Sequence, residues 1–314
     1  MEIIQQGGYP VFKEGYTLGV DPIDFPYTAE LVKENAQRTF SYNELVHDGH
    51  ELKINILFRS NGTMRIIRKF VDEDLDDLYD GFPDTLYHSF QTPGHLNKDR
   101  GSIYVEGIAE VYGRVKGDVT IGAVKNIRIM DDLVYSDSNM SGGAGSKGKP
   151  PESCQNYLGL ISEQNVMIAN TPENRSDNHG ICINAGIIAL GHHPTSAPTG
   201  TGDWDVITVG TSKYYSGGSF SVEDMNTSLP RTPDQYMQAL NNLTIYGAVA
   251  QRYRGYVHRT NSYGTGDDGG YFDKDYHYDK RFEYHPPPDY IEVSGLSGYE
   301  WSEVTYEHIL EENE

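Results

Sequence analysis

Four carboxylates, Asp118, Asp131, Asp132 and Asp137, fall close together in the chain, each beside a short apolar run. Cleaving a glycosidic bond needs two carboxyls about 5–10 Å apart, one kept protonated by its surroundings. These aspartates come nearest to that chemistry, and polysaccharide lyases and glycosidases often place such clusters on one face of a parallel β-helix. Aspartates at corners also serve a plainer purpose, bonding the turn backbone. The plainer reading is preferred, and no catalytic residue is assigned. No Gly-x-Ser-x-Gly elbow marks a nucleophile. His47, His50, His88, His95, His179 and the pair His192-His193 lack the i, i+4 spacing of a helical zinc site.

A second acidic group lies near the C-terminus, where Asp267, Asp268, Asp273 and Asp275 supply oxygen ligands suited to calcium. Their spacing matches neither the EF-hand loop nor the nonapeptide calcium repeat. Turn capping and pairing with Lys274, Lys280 and Arg281 is the competing expectation. No cofactor is expected, and calcium is the one ion this composition suits. Tyr214, Tyr215, Tyr271 and Tyr276 are candidates for stacking on sugar rings or forming a protein interface. The two cysteines, Cys154 and Cys182, allow one disulfide at most, with buried thiols as the alternative.

The elements that must carry these residues are short strands. From Gly101 to about Val257 runs such as Ile103-Tyr104-Val105, Asn126-Ile127-Arg128-Ile129, Leu158-Gly159-Leu160-Ile161 and Ile181-Cys182-Ile183 are separated by single Gly, Asn or Asp corners. Corners recur too often for hairpins and suit a coil with three short faces. The fold expected is all-β: a right-handed parallel β-helix with a small N-terminal α+β segment, a side lobe and a capping tail. Residues 1–100 hold a helix, Ala29 to Arg38 with Thr28 as N-cap, and a hairpin around Asn61-Gly62. Residues 101–257 form the β-helix core. It has two insertions, a mobile loop at 138–152 and a lobe at 192–234. Residues 258–314 form the Tyr- and Pro-rich tail, in which Pro286-Pro287-Pro288 enforces an extended conformation that covers an open sheet edge.

Gly (34) and Tyr (24) are abundant, as suits corners and half-buried strands. A formal net charge of −21 repels phosphate backbones and anionic headgroups, so nucleic acid and membrane surfaces are not expected partners. No apolar stretch is long enough to span a bilayer. The opening residues, Met1 to Gly8, have no basic region followed by an apolar core, which suggests a piece of a longer exported precursor.

Several segments together resemble a bacterial surface family: Val111-Tyr112-Gly113-Arg114-Val115, Asp132-Leu133-Val134-Tyr135-Ser136-Asp137, Leu243-Thr244-Ile245-Tyr246-Gly247-Ala248-Val249-Ala250-Gln251, Tyr253-Arg254-Gly255 and Asp279 through Pro288. The resemblance, to domain-of-unknown-function family 4900, spans roughly residues 101–290. It implies an exported or envelope protein, often found alongside pilus-type machinery, with no established activity. From the solenoid pattern, the acidic surface and the absence of a catalytic constellation, the expected function is a non-catalytic extracellular or cell-surface protein that assembles or adheres. Self-association or contact with other surface proteins is expected, with polysaccharide as a further partner. The alternatives are a polysaccharide lyase or glycoside hydrolase, and a calcium-dependent carbohydrate-binding module.

Overall fold

A computed structural model of the chain describes residues 3–6, 9–12, 28–41, 50–71, 85–95, 99–141, 146–176, 180–191, 206–209, 212–215, 217–223, 239–252, 254–259 and 269–290. The chain divides into two compact units. One joins residues 1–25 with residues 292–314, and its described part is an antiparallel hairpin of β1 (Ile3–Gln6) and β2 (Tyr9–Phe12). The other, residues 26–291, carries every described candidate residue.

The larger unit is mostly β-structure in a curled mixed sheet. Near its start lie α1 (Glu30–Asn35), β3 (Ala36–Phe40), β4 (Glu51–Phe58), β5 (Thr63–Val71) and β6 (Thr85–Gln91). β7 (Gly101–Val105), β8 (Ile108–Val115), β9 (Asp118–Ala123) and β10 (Ile127–Tyr135) follow. Next come β11 (Tyr157–Ser162), β12 (Val166–Ile168), α2 (Pro172–Ser176) and β13 (Ile181–Ala189). A side hairpin of β14 (Val206–Val209) and β15 (Ser212–Tyr215) precedes β16 (Phe220–Val222), β17 (Ala239–Gln251), β18 (His258–Arg259) and β19 (Gly269–Tyr278).

Parallel pairing aligns like residues from strand to strand. One column runs Ile103, Ile121, Leu160, Ile187 across β7, β9, β11 and β13. A second runs Ile54, Ala109, Ile127, Val166, Phe220 across β4, β8, β10, β12 and β16. A third links Leu133, Ile183 and Ile245. All of these residues are at most 3% exposed and share one apolar core. Each fully buried Ile or Leu contributes about 1.5–3 kcal/mol. The sheet continues through positions 100 and 257, since β3 and β4 pair with β7 and β8, and β19 pairs with β17.

The hairpin expected at Asn61-Gly62 is present: Gly62 has φ +79°, and Asn61 Oδ1 accepts from the backbone N–H and hydroxyl of Thr63. A Cβ at Gly62 would also lie 1.8 Å from the buried His95 ring. The expected helix is shorter than its sequence pattern. It spans Glu30–Asn35, with Ala29 rather than Thr28 at the N-cap position, and the chain becomes extended at Ala36 to pair with β7. Ladder hydrogen bonds to β7 outweigh local propensity there.

Part of the loop expected to be mobile is fastened. Buried Asn184 donates to the Gly148 carbonyl at 3.0 Å, and Lys147 Nζ to the Gly180 carbonyl at 3.2 Å. The lobe drawn over 192–234 contains a core strand: Phe220 and Val222 in β16 are 3% and 0% exposed and pair with β12. No described helix is long and apolar enough to cross a membrane.

Candidate functional site

On the outer side of β7, β9, β11 and β13 the register lines up Ser102, Thr120, Gly159 and Gly186. Small residues here leave room for a segment that crosses the strands, Asp279 to Tyr290. This clasp begins with a 3-10 turn, Lys280–Glu283, capped by Asp279, whose carboxylate accepts from the Arg281 N–H. Arg281 is its pin. The guanidinium pairs with Asp279 at 2.6 Å, lies over the rings of Tyr157 and Tyr135 at 4.9 and 5.2 Å, and donates to the Cys154 carbonyl at 2.7 Å. Planar, delocalised charge suits that sandwich as an ammonium would not.

The three prolines then cross the small-residue column. Arg100 donates to the Pro286 carbonyl, Thr120 Oγ1 donates to the Pro288 carbonyl at 2.5 Å, and Ser102 donates to the Asp289 carboxylate. Asp289 takes a left-handed conformation, φ +52°, which turns Tyr290 back over Gly159 and Gly186. Arg100 and Thr120 thus satisfy the Pro286 and Pro288 carbonyls, and the Tyr290 N–H donates to that of Pro287.

At the head of the clasp His285 meets Asp118 and Arg100. His285 Nε2 lies 2.9 Å from Asp118 Oδ2 and 3.0 Å from Arg100 Nη1, and Arg100 Nε lies 3.2 Å from the same Asp118 oxygen. The Tyr157 ring packs on the imidazole with centroids 4.4 Å apart. The Asp118 side chain is 10% exposed. Burial raises its carboxyl above the ordinary range, although the His285 hydrogen bond and the Arg100 charge both pull it down.

The other three aspartates weighed for glycosidic chemistry bond the scaffold. Asp131 Oδ1 accepts from the Asp132 N–H at 2.7 Å, and Asp132 Oδ1 accepts from the Cys182 N–H at 2.7 Å. Asp137 accepts from Asn156 Nδ2 at 2.8 Å and from the Cys154 thiol at 3.2 Å. A second charged group binds successive strands on another outer column. Arg128 is bidentate to Glu223 at 2.8 and 2.9 Å and donates to Glu110 at 2.6 Å, and Glu110 also meets Lys53 at 3.6 Å.

Of the calcium candidates, Asp267 and Asp268 lie outside the described residues, while Asp273 and Asp275 stand on β19. Asp275 pairs with His277 at 2.8 Å. Among the described residues no three His, Cys, Asp or Glu side chains gather as a metal site. Tyr214 and Tyr215 belong to β15, and their side chains lie outside the described set. Tyr271 is buried in the core, whereas Tyr276 is 53% exposed. The cysteine pair considered for a disulfide is two buried thiols with no bridge between them. They sit in different surroundings: Cys154 bonds Asp137, and Cys182 packs against Gly148.

Sequence reading singled out Asp118 but not its partners Arg100 and His285. The available signal was the density of charge and aromatic rings immediately before three prolines, Asp279 through His285. Comparisons with protein-family models, with curated proteins and with solved structures each return no match for this chain.

Proposed function

We propose that the chain is a non-catalytic structural module of an extracellular or cell-surface assembly, folded as a right-handed parallel β-helix and related to the surface family it resembles. The fold reading rests on the aligned columns of apolar residues, which join parallel strands around one core. Right-handed crossover is what parallel connections adopt almost without exception.

One observation carries the functional reading. The polar and charged side chains with the best geometry are turned toward the scaffold, where they staple one strand to the next. Asp131 and Asp132 bind backbone N–H groups, Arg128 joins Glu110 to Glu223, and Arg281, Thr120 and Ser102 hold the clasp. A catalytic face would instead aim a pair of carboxyls at a substrate groove.

The test is light scattering coupled to size exclusion on the purified chain, with and without calcium, beside a screen of uronate and neutral polysaccharides. Defined oligomers or filaments are expected, with no release of unsaturated or reducing ends. A strict monomer at high concentration that binds no surface polymer overturns the assembly reading, and turnover of any polysaccharide replaces it with an enzyme.

A further inference from the structure

We infer that the clasp is proton-gated: Asp279 to Tyr290 closes more tightly on β7, β9 and β11 when a proton is bound at Asp118 than when that carboxyl is ionised. The geometry of the carboxyl is the first reason. Oδ2 takes both contacts, from His285 and Arg100, while Oδ1 is buried and accepts no hydrogen bond from any described residue. An ionised carboxylate offers about four acceptor sites, and burying one with an oxygen bare is costly.

The second reason is the ring nitrogen. His285 Nε2 faces an acceptor, Asp118 Oδ2, and a donor, Arg100 Nη1, both within hydrogen-bond distance. With Asp118 ionised and the imidazole neutral, Nε2 either donates to Asp118 and opposes Arg100, or accepts from Arg100 and opposes Asp118. With Asp118 protonated, the carboxyl O–H donates to the single lone pair of a neutral Nε2, and that nitrogen no longer faces an ionised carboxylate.

The charged and titratable groups around the pair are Arg100 from the segment before β7, Tyr157 from β11, and His285 itself from the clasp. Beyond Tyr157 stand Arg281, Asp279 and Cys154. The pull of His285 and Arg100 on Asp118 does not overcome its burial, which raises the carboxyl. The sign follows. A group whose value is raised in the closed form binds more proton there, so closure is favoured as pH falls and weakened as pH rises through the raised value. One proton changes the opening constant by at most about tenfold per pH unit. The window runs from the ordinary carboxyl value, about 3.9, up to the raised value of Asp118.

Amide hydrogen exchange over residues 279–290 of the full chain, corrected for the intrinsic pH dependence, reads the opening directly. Protection in the wild-type chain is expected to rise on acidification across that window. In Asp118→Asn it is expected to be independent of pH there. Wild-type protection that is flat or falls on acidification overturns the proposal, as does an unchanged slope in Asp118→Asn. Should the variant fail to fold, carboxyl-carbon NMR of Asp118 in the wild-type chain decides the matter. A midpoint above the ordinary aspartate range is expected, and one at or below that range overturns the gate.

Discussion

The phenol of Tyr290 occupies the space that a side chain would fill at Gly186: a Cβ built there lies 2.6 Å from the hydroxyl oxygen and 2.9 Å from the ring carbon that bears it. A Cβ built at Gly159, its neighbour in the column, would lie 3.0 and 3.1 Å from Pro287 and the same tyrosine. The outer faces of β11 and β13 are therefore shaped to the clasp, and the clasp reciprocally protects two glycines that would otherwise weaken their strands.

Gly186→Ala should destabilise the fold by about 1–3 kcal/mol through overpacking. The loss should shrink when Tyr290→Ala removes the obstructing ring, because residues in contact are not additive. Urea midpoints of the wild type, both single variants and the double variant measure the coupling. Additive changes within about 0.5 kcal/mol would mean that the two residues do not meet in solution.

Asn184 makes a second prediction. It is 0% exposed, and its Oδ1 accepts from the Tyr135 N–H and the Ser138 hydroxyl while its amide donates to the Gly148 carbonyl. Asn184→Leu keeps the branched shape of the side chain and leaves those partners buried without it, at about 1–3 kcal/mol for each orphaned group. The expected readout is a lower urea midpoint together with faster proteolytic cleavage between residues 138 and 149. Cleavage at the wild-type rate would show that Asn184 does not hold this segment.

The thiols make a third. Burial pushes the Cys154 thiol up, and Cys182 is 1% exposed. Without reductant, the native chain should react slowly with a thiol reagent near neutral pH and yield two thiols per chain once unfolded. Fewer than two on unfolding would reveal a bridge.

Much of the architecture was legible because local chemistry controls it. Asn61-Gly62 between alternating apolar residues meant a hairpin, since the tight turn needs φ > 0 at glycine. Ile, Val and Leu in short runs meant strands with a common buried core, although β13 and β17 run 9 and 13 residues, through the expected corners. Phe220 and Val222 escaped notice because Ser219 and Ser221 break up the apolar signal, and a three-residue strand has no period of its own. The helix over-ran on paper because its continuation, Ala36 to Arg38, has ordinary helical propensity. Only the neighbouring edge of β7 offers those residues a better set of hydrogen bonds.

The chain by itself determined that apolar residues would be buried in ladders of short strands, because side-chain alternation and turn residues act within a few positions. Tertiary structure alone decided what the polar residues do. Asp118 meets His285 across a separation of 167 positions, and Ser102 meets Asp289 across 187. Nothing in the spacing of an aspartate reveals which distant strand will fold over it. That pairing depends on the register of four parallel strands and on the room left by Gly159 and Gly186, and both arise only once the sheet has formed.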